Sequence, residues 1–288
     1  MQIIETKEYV VFQEITEGFE TNAILLLLAQ NNIIVDTLAH PDQAAAIVNY
    51  LGSKNRNQLP TWIINTHYHW DHIWGNQLFK ECIIIAHDAC RQKVMQEGLE
   101  VLNRFKQKNH FYESVELVSP NLTFSNKMTL NAEAEFPVEV CHFPSHSFDS
   151  CYVYLPNEQI LVAGDILEDP FPLLERENGI QEYLIGLKEL MQKPIKTIIP
   201  GHGQVSGKEL LENNYHYINT VWETACEAVK KDIPVKHLFD KPLTEFSLMP
   251  INQAYFDFYI EGHKDNIKRA YLDIVSYNLL KPKCFDRI

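Results

Sequence analysis

Four potential metal ligands follow a short hydrophobic strand in the segment Thr61-Trp62-Ile63-Ile64-Asn65-Thr66-His67-Tyr68-His69-Trp70-Asp71-His72. The predicted strand covers 61–65, and a short helix is expected to begin near Asp71 and to end around Phe79 or Lys80. The imidazole and carboxylate side chains therefore lie just past the strand and at the start of the helix. Loops at strand ends hold side chains over one edge of a sheet, where binding sites are commonly built.

Three further strand ends carry a histidine or an aspartate. Predicted strands over 138–143, 160–163 and 197–199 each lead into such a residue. Together with the first segment they give seven candidate metal ligands: His67, His69, Asp71, His72, His146, Asp165 and His202. Imidazole and carboxylate groups in combination suit zinc, manganese and iron. Seven ligands are too many for one tetrahedral ion, whereas two ions about 3.5–4 Å apart would use them all.

This ordered set resembles the metallo-β-lactamase fold superfamily, whose HxHxDH signature is matched by residues 67–72. The resemblance covers about residues 9–206. It includes further family-like features: Asn22, Asp36, Gly75-Asn76, Pro144-Ser145-His146, Ala163-Gly164-Asp165 and Pro200-Gly201-His202-Gly203. The fold it implies is of the α/β class, a four-layered αββα sandwich made of two similar βα halves with the metals at their shared edge.

The resemblance also implies a division of roles among the seven residues. A first metal would be held by His67, His69 and His146, a second by Asp71, His72 and His202, with Asp165 bridging them. The cofactors are expected to be two divalent ions, with zinc favoured and manganese and iron as alternatives. A hydroxide bridging them is a nucleophile near neutral pH, because metal binding lowers the pKa of water to roughly 7. Asp71 would be the catalytic residue that accepts or shuttles its proton.

The implied activity is metal-dependent hydrolysis of a small-molecule ester, thioester or lactone bond. β-Lactamases of this fold generally lack the bridging aspartate, so the presence of Asp165 disfavours antibiotic hydrolysis as the native task. Thioesterases resembling glyoxalase II have this aspartate, but Gly203-Gln204-Val205-Ser206 differs from their glutathione-binding continuation. Lactonases that open acyl-homoserine lactones share all seven ligands. An iron-dependent dioxygenase of the same fold, or a phosphodiesterase, is the alternative.

Composition limits the partners of the protein. The chain has 288 residues, of which 45% are hydrophobic and 22% charged, values close to the globular average. A formal net charge of −13 disfavours nucleic acid as a partner. The longest apolar run, 23–29, is too short to cross a membrane, and no secretory leader is visible. The six cysteines are scattered along the chain, and we expect them to be reduced. We therefore predict a cytoplasmic enzyme that acts on a small-molecule substrate. The oligomeric state is left undetermined, with a homodimer as one alternative.

The chain from Lys208 to its end has a helical pattern. Three prolines break this pattern: Pro234, Pro242 and Pro250. We therefore divide the chain into a catalytic domain over 1–206 and a helical C-terminal region over 207–288. The helical region should border the site and determine substrate choice, because the ligand set is common to many branches of the superfamily while this segment is not.

Aromatic and basic side chains near the expected site have two interpretations each. Trp70 and Trp74 either wall a substrate pocket or pack beneath the ligand loop, and we weigh the two equally. An aromatic patch in the C-terminal region is favoured as core or subunit contact over a substrate lid; it consists of Tyr255, Phe256, Phe258 and Tyr259. The basic segment 263–269 is interpreted as a solvated helix face, with contact to an anionic substrate as the alternative.

Overall fold

Two β-sheets lie face to face, and helices cover both outer faces, as the predicted four-layered αββα sandwich requires. This computed structural model describes residues 1–131, 136–174 and 179–280, with the backbone alone for 277–280. The predicted helical pattern beyond residue 280, and Cys284, lie outside the described residues. The five cysteines within them are all free thiols.

The first sheet has seven strands in sequential order. They are β1 (Gln2–Glu5), β2 (Tyr9–Thr16), β3 (Phe19–Leu27), β4 (Asn32–Val35), β5 (Thr61–Ile64), β6 (Ile83–His87) and β7 (Leu122–Phe124). Strands β1 to β4 form an antiparallel meander, and β4 to β7 run parallel. The apolar run 23–29 predicts a strand that starts at Ala23, but β3 begins at Phe19, because Glu17 and Gly18 adopt positive φ angles of 53° and 92° and reverse the chain there.

The second sheet has five strands in the order β12-β11-β10-β9-β8. They are β8 (Lys127–Leu130), β9 (Val138–His142), β10 (Cys151–Leu155), β11 (Ile160–Gly164) and β12 (Thr197–Pro200). Strand β10 is antiparallel to both β9 and β11, and β12 is parallel to β11. Strands β9, β11 and β12 therefore point the same way, and their carboxyl ends meet at one edge of the sheet.

Six α-helices in the described part of the chain complete the layers. They are α1 (Pro41–Ser53), α2 (Trp70–Ile73), α3 (Asp88–Lys108), α4 (Ile180–Leu190), α5 (Lys208–Lys230) and α6 (Phe256–Leu280). Ile47 and Tyr50 of α1 pack against Val10 and Phe12 on the outer face of the first sheet. Buried residues of α4, α5 and α6 share one apolar cluster with the second sheet. Among the described helices, none has the length and apolar character needed to cross a bilayer.

The alternating pattern of 111–139 predicts strands, which the structure confirms at β7 and β8 but not at the start of the segment. Residues His110–Ser114 form a 3₁₀ turn, and strands begin only at β7. The Asn109 side chain accepts a hydrogen bond from Phe111 N at 3.0 Å and so starts this turn. Tyr112 is then buried against Trp74 at a ring distance of 5.4 Å. The strand prediction was wrong here because a local side-chain cap competes with extended structure. The domain boundary at 206/207 stays a prediction.

Candidate metal centre

All seven predicted ligands meet at one edge of the sandwich. His67 and His69 follow β5, Asp71 and His72 lie in α2, and single residues follow β9, β11 and β12. Two groups have ligand atoms that all lie within 4.8 Å of one another: His67, His69, His146 and Asp165 in one, and Asp71, His72 and His202 in the other. The grouping agrees with the predicted division between two ions, and the role of each residue as a ligand stays a prediction.

Asp165 lies between the two groups. Its Oδ2 atom is 3.4 Å from His67 Nε2 in the first group and 3.0 Å from His202 Nε2 in the second. Its Oδ1 atom is 3.2 Å from His72 Nε2. One carboxylate thus contacts ring nitrogens of both groups, which is the position that a bridging ligand needs.

Hydrogen bonds on the far side of the rings fix which nitrogen faces the centre. His146 donates from Nδ1 to the Leu173 carbonyl at 2.8 Å, and His202 donates from Nδ1 to the Glu20 carbonyl at 2.6 Å. A carbonyl oxygen only accepts, so Nδ1 carries the proton in both rings. The Nε2 atoms of these histidines therefore face the centre, as metal ligation requires.

Asp36 orients histidines of both groups. Its Oδ2 accepts a hydrogen bond from His72 Nδ1 at 2.9 Å and another from the Thr66 hydroxyl at 2.7 Å. Because the Thr66 proton is used in this way, Thr66 Oγ1 accepts from His67 Nδ1 at 3.0 Å. One buried carboxylate thereby directs the Nε2 atoms of His67 and His72 toward Asp165.

Two glycines let the strand ends approach each other at the centre. A Cβ on Gly164, which has a φ of +53°, would lie 2.7 Å from Thr66 Cβ. A Cβ on Gly201 would lie 2.0 Å from Asp165 Oδ1. Any side chain at either position would displace the Asp165 carboxylate or the threonine that supports His67.

The donor set fits divalent cations. His69 Nδ1 is 2.8 Å from His67 Nε2 and 3.0 Å from His146 Nε2, so three ring nitrogens converge on one point. Burial opposes ionisation of Asp165, but the surrounding histidines outweigh it and hold its pKa well below the usual range. No described residue gives Asp165 Oδ1 a hydrogen bond. A buried anionic oxygen beside convergent ring nitrogens is an environment that a bound cation stabilises.

Asp71 is the second carboxylate of the centre. Its Oδ2 lies 3.3 Å from His72 Nε2 and 3.5 Å from His202 Nε2. Burial opposes its ionisation, but these histidines prevail and lower its pKa to about 2. Asp71 is therefore an anion at neutral pH, able to bind a cation or accept a proton.

A cavity of about 340 Å³ opens beside the two groups. Its apolar wall comes from four parts of the chain: Phe19, Trp70, Leu173 with Leu174, and Phe258. Trp70 lines the cavity, as a wall residue would, and Trp74 is buried beneath the ligand loop. Contact of Trp70 with a substrate stays a prediction. In the aromatic patch, Tyr255 and Tyr259 are buried as favoured, but Phe258 lines the cavity.

Two polar residues of the cavity escaped the sequence prediction. Glu168 is buried at the cavity wall and accepts a hydrogen bond from Leu173 N at 3.1 Å. Burial raises its pKa to about 8. Asn266 of α6 is buried and binds the same loop through Leu174 N at 2.7 Å. Only weak signals mark them: Glu168 follows the apolar pair Ile166-Leu167, and Asn266 lies on the apolar stripe of its helix.

Known proteins resemble this chain in sequence and in structure. The family model described as the metallo-beta-lactamase superfamily matches residues 16–202. A metallo-beta-lactamase type 2 from Bacillus cereus is 24% identical over 203 residues, 68% of this chain and 72% of that protein. A hydroxyacylglutathione hydrolase from Pelagibacter ubique is 27% identical over 127 residues, and the match covers only 44% of each protein.

Solved structures give the same architecture. The crystal structure of the DIM-1 metallo-beta-lactamase superposes with a TM-score of 0.59 at 19% identity, covering 76% of this chain and 97% of that one. A metallo-beta-lactamase from Pontibacter korlensis gives a TM-score of 0.57 at 16% identity, covering 73% and 95%. At such identities these likenesses bear on the fold alone. The match to the family model ends at residue 202, before α5.

Proposed function

We propose that this chain, which belongs to the metallo-beta-lactamase superfamily, is a metal-dependent hydrolase for an ester, thioester or lactone bond of a small molecule. The observation that carries the proposal is the position of Asp165, whose carboxylate contacts ring nitrogens of both ligand groups. Two divalent cations held there, with zinc favoured over manganese and iron, would lower the pKa of a water to about 7 and polarise the scissile carbonyl.

The protein's own residues have defined tasks in this reaction. The first cation would be held by His67, His69 and His146, the second by Asp71, His72 and His202, and Asp165 would be shared. Asp36 keeps the Nε2 atoms of His67 and His72 directed inward through its hydrogen bonds. This orientation is set before any ligand arrives, so it costs no rearrangement during the reaction.

Asp71 is the group that we assign to proton transfer. Its carboxylate is ionised at neutral pH, because the neighbouring histidines lower its pKa to about 2. Thr21 donates a long hydrogen bond of 3.4 Å to Oδ2 and helps to hold the carboxylate in place. Asp71 can therefore accept the proton of the attacking water at Oδ2 and return it to the leaving group.

The cavity supports a small-molecule substrate. Its volume of about 340 Å³ lies at the lower end of the range for small-ligand sites, roughly 300–1,000 Å³. The relative named hydroxyacylglutathione hydrolase supports a thioester bond, although it matches over less than half of this chain. The β-lactamase relatives make a β-lactam a necessary member of any substrate panel.

The test is turnover of matched model substrates by metal-loaded protein. A thioester, a lactone, an aryl ester, a phosphodiester and a β-lactam are assayed with wild type, Asp71→Asn and the exposed-site control Asp240→Asn. We expect turnover of a thioester, lactone or ester, a large loss with Asp71→Asn and no loss with Asp240→Asn. Oxygen uptake by an iron-loaded protein without hydrolysis of any panel member would overturn the proposal in favour of a dioxygenase.

A further inference from the structure

One face of α6 forms a wall of the candidate active site. Phe258, Gly262, Asp265 and Asn266 line the cavity, and their spacing of four, seven and eight residues places them on one side of a helix. Gly262 lies so close to the opposite loop that a Cβ there would be 2.4 Å from Leu173 Cδ2. The helix is thus packed directly on the loop that supports His146.

Aromatic rings join this helix to the metal ligands. Phe258 stacks on Phe19 with ring centres 5.0 Å apart and planes inclined by 22°. Phe19 in turn meets the edge of Trp70 at 6.1 Å and of His202 at 5.2 Å. The wall is therefore apolar from the helix up to the ligand residues, and an aryl or bulky alkyl group would bury its surface there.

The wall of the cavity carries acidic side chains. Apart from the ligand residues, those that line its described part are Asp265 of α6, which is exposed, and Glu168, which is buried and whose pKa burial raises to about 8. Two basic residues of the same helix segment have other contacts, since Lys264 pairs with Glu261 at 2.6 Å and Arg269 with Asp273 at 3.1 Å. Lys268 is exposed and is not among the residues that line the cavity. The face that α6 turns to the site thus presents negative charge.

We propose that the site selects substrates with an aryl or bulky alkyl group next to the scissile bond and a neutral or cationic distal end, and discriminates against anionic ones. This specificity rests on the proposed hydrolase function and adds two determinants to it. Phe258 holds the apolar group through ring contact. Asp265 stabilises an ammonium group at the exposed end of the cavity and repels a carboxylate there.

The experiment uses metal-loaded full-length protein and four 4-nitrophenyl esters. Their acyl groups are acetyl, phenylacetyl, 4-aminomethyl-phenylacetyl and 4-carboxymethyl-phenylacetyl, so the last three differ mainly in distal charge. An exposed charge pair contributes up to about 1 kcal/mol, or roughly five-fold. We expect kcat/KM to be about five-fold or more higher for the ammonium ester than for the carboxylate ester. Asp265→Asn should bring this ratio close to one, and Asp265→Lys should invert it.

Phe258→Ala tests the apolar part of the wall. It should lower kcat/KM for the phenylacetyl ester about ten-fold more than for the acetyl ester, since only the larger group reaches the ring. The matched control is Phe256→Ala on the same helix, where the side chain is 41% exposed and outside the cavity lining. This control should change neither value.

The outcomes separate the two proposals. If metal-loaded protein cleaves none of the esters or other panel substrates, the hydrolase function itself is wrong. If it cleaves the esters but prefers the carboxylate, or if the Asp265 variants leave the charge preference unchanged, the specificity proposal alone is overturned. An equal effect of Phe258→Ala on acetyl and phenylacetyl esters would likewise contradict it.

Discussion

Asn266 of α6 holds the loop that orients a candidate metal ligand. Its Oδ1 accepts a hydrogen bond from Leu174 N at 2.7 Å, and its Nδ2 donates to the Pro172 carbonyl at 2.9 Å. Between these two anchor points, the Leu173 carbonyl accepts the Nδ1 proton of His146 at 2.8 Å. Substitution of Asn266 should therefore change both the stability of the protein and the orientation of His146.

The expected size of the effect follows from the contacts. Asn266→Ala removes the two loop bonds and a third one, donated to Tyr217 Oη at 2.9 Å. At about 1 kcal/mol for each bond, the free energy of unfolding of metal-free protein should fall by about 3 kcal/mol. Loss of a residue that supports a ligand typically lowers metal affinity by about 10- to 100-fold. We expect that loss for the cation bound by the group of His146.

The measurements are urea unfolding without metal and zinc titration against a competing chelator. Tyr217→Phe is the matched control, because it removes one bond of Asn266 and leaves both loop bonds in place. It should lose stability but keep a zinc affinity near that of wild type. If Asn266→Ala binds two zinc ions as tightly as wild type, the link from α6 to His146 is wrong. An unchanged free energy of unfolding would contradict the count of hydrogen bonds.

Three further perturbations follow from the structure. Asp36→Asn should weaken zinc binding by about 10- to 100-fold, since Asp36 orients His72. Gly75→Ala should cost about 3 kcal/mol of folding stability, because its Cβ would lie 1.9 Å from the Thr37 carbonyl oxygen. Burial lowers the pKa of His263 to about 4, below its unfolded value of about 6.5. Its contribution to stability is therefore present above pH 6.5 and lost as pH falls toward 4, by about 1–2 kcal/mol between pH 7 and pH 5.

Each of these has its own readout. Chelator competition measures zinc binding by Asp36→Asn, and a zinc affinity equal to that of wild type would contradict the role of Asp36. Thermal unfolding compares Gly75→Ala with the control Gly52→Ala, whose Cβ would meet nothing within 4 Å. Equal melting temperatures of the two variants would refute the steric argument. Urea unfolding of metal-free protein at pH 7 and pH 5 measures the contribution of His263 to the free energy of unfolding. The wild type should lose more stability than His263→Gln, and parallel losses would show that His263 does not titrate as stated.

The candidate metal centre was predictable because its residues have local signals. The four candidate ligands of 67–72 come directly after a hydrophobic strand and are visible within six residues, and the other three each follow a strand. The supporting contacts have no such signal. The bond between Leu174 N and Asn266 joins residues 92 positions apart, and the stacking of Phe19 on Phe258 depends on where α6 lies. Those contacts are set by packing, which spacing along the chain does not specify.

Two parts of the fold were missed for similar reasons. Strand β1 is mostly exposed and lies at the edge of the first sheet beside β2, so its sequence lacks the apolar alternation of a half-buried strand. The turn around Tyr112 has an apolar pattern that resembles a strand, but a cap from Asn109 and burial against the ligand loop select a 3₁₀ conformation. In both places contacts with other parts of the chain, rather than the local hydrophobic pattern, determine the conformation.

Metal analysis of matched variants tests the central claim most directly, since the account requires Asp165 to serve two ligand groups. Zinc per chain is measured by elemental analysis and by calorimetric titration for wild type, Asp165→Asn and the exposed-site control Asp240→Asn. The account predicts close to two ions for wild type and for Asp240→Asn, as a two-metal site requires, and loss of one or both for Asp165→Asn. Two ions retained with unchanged affinity in Asp165→Asn, or a single ion in wild type, would contradict it.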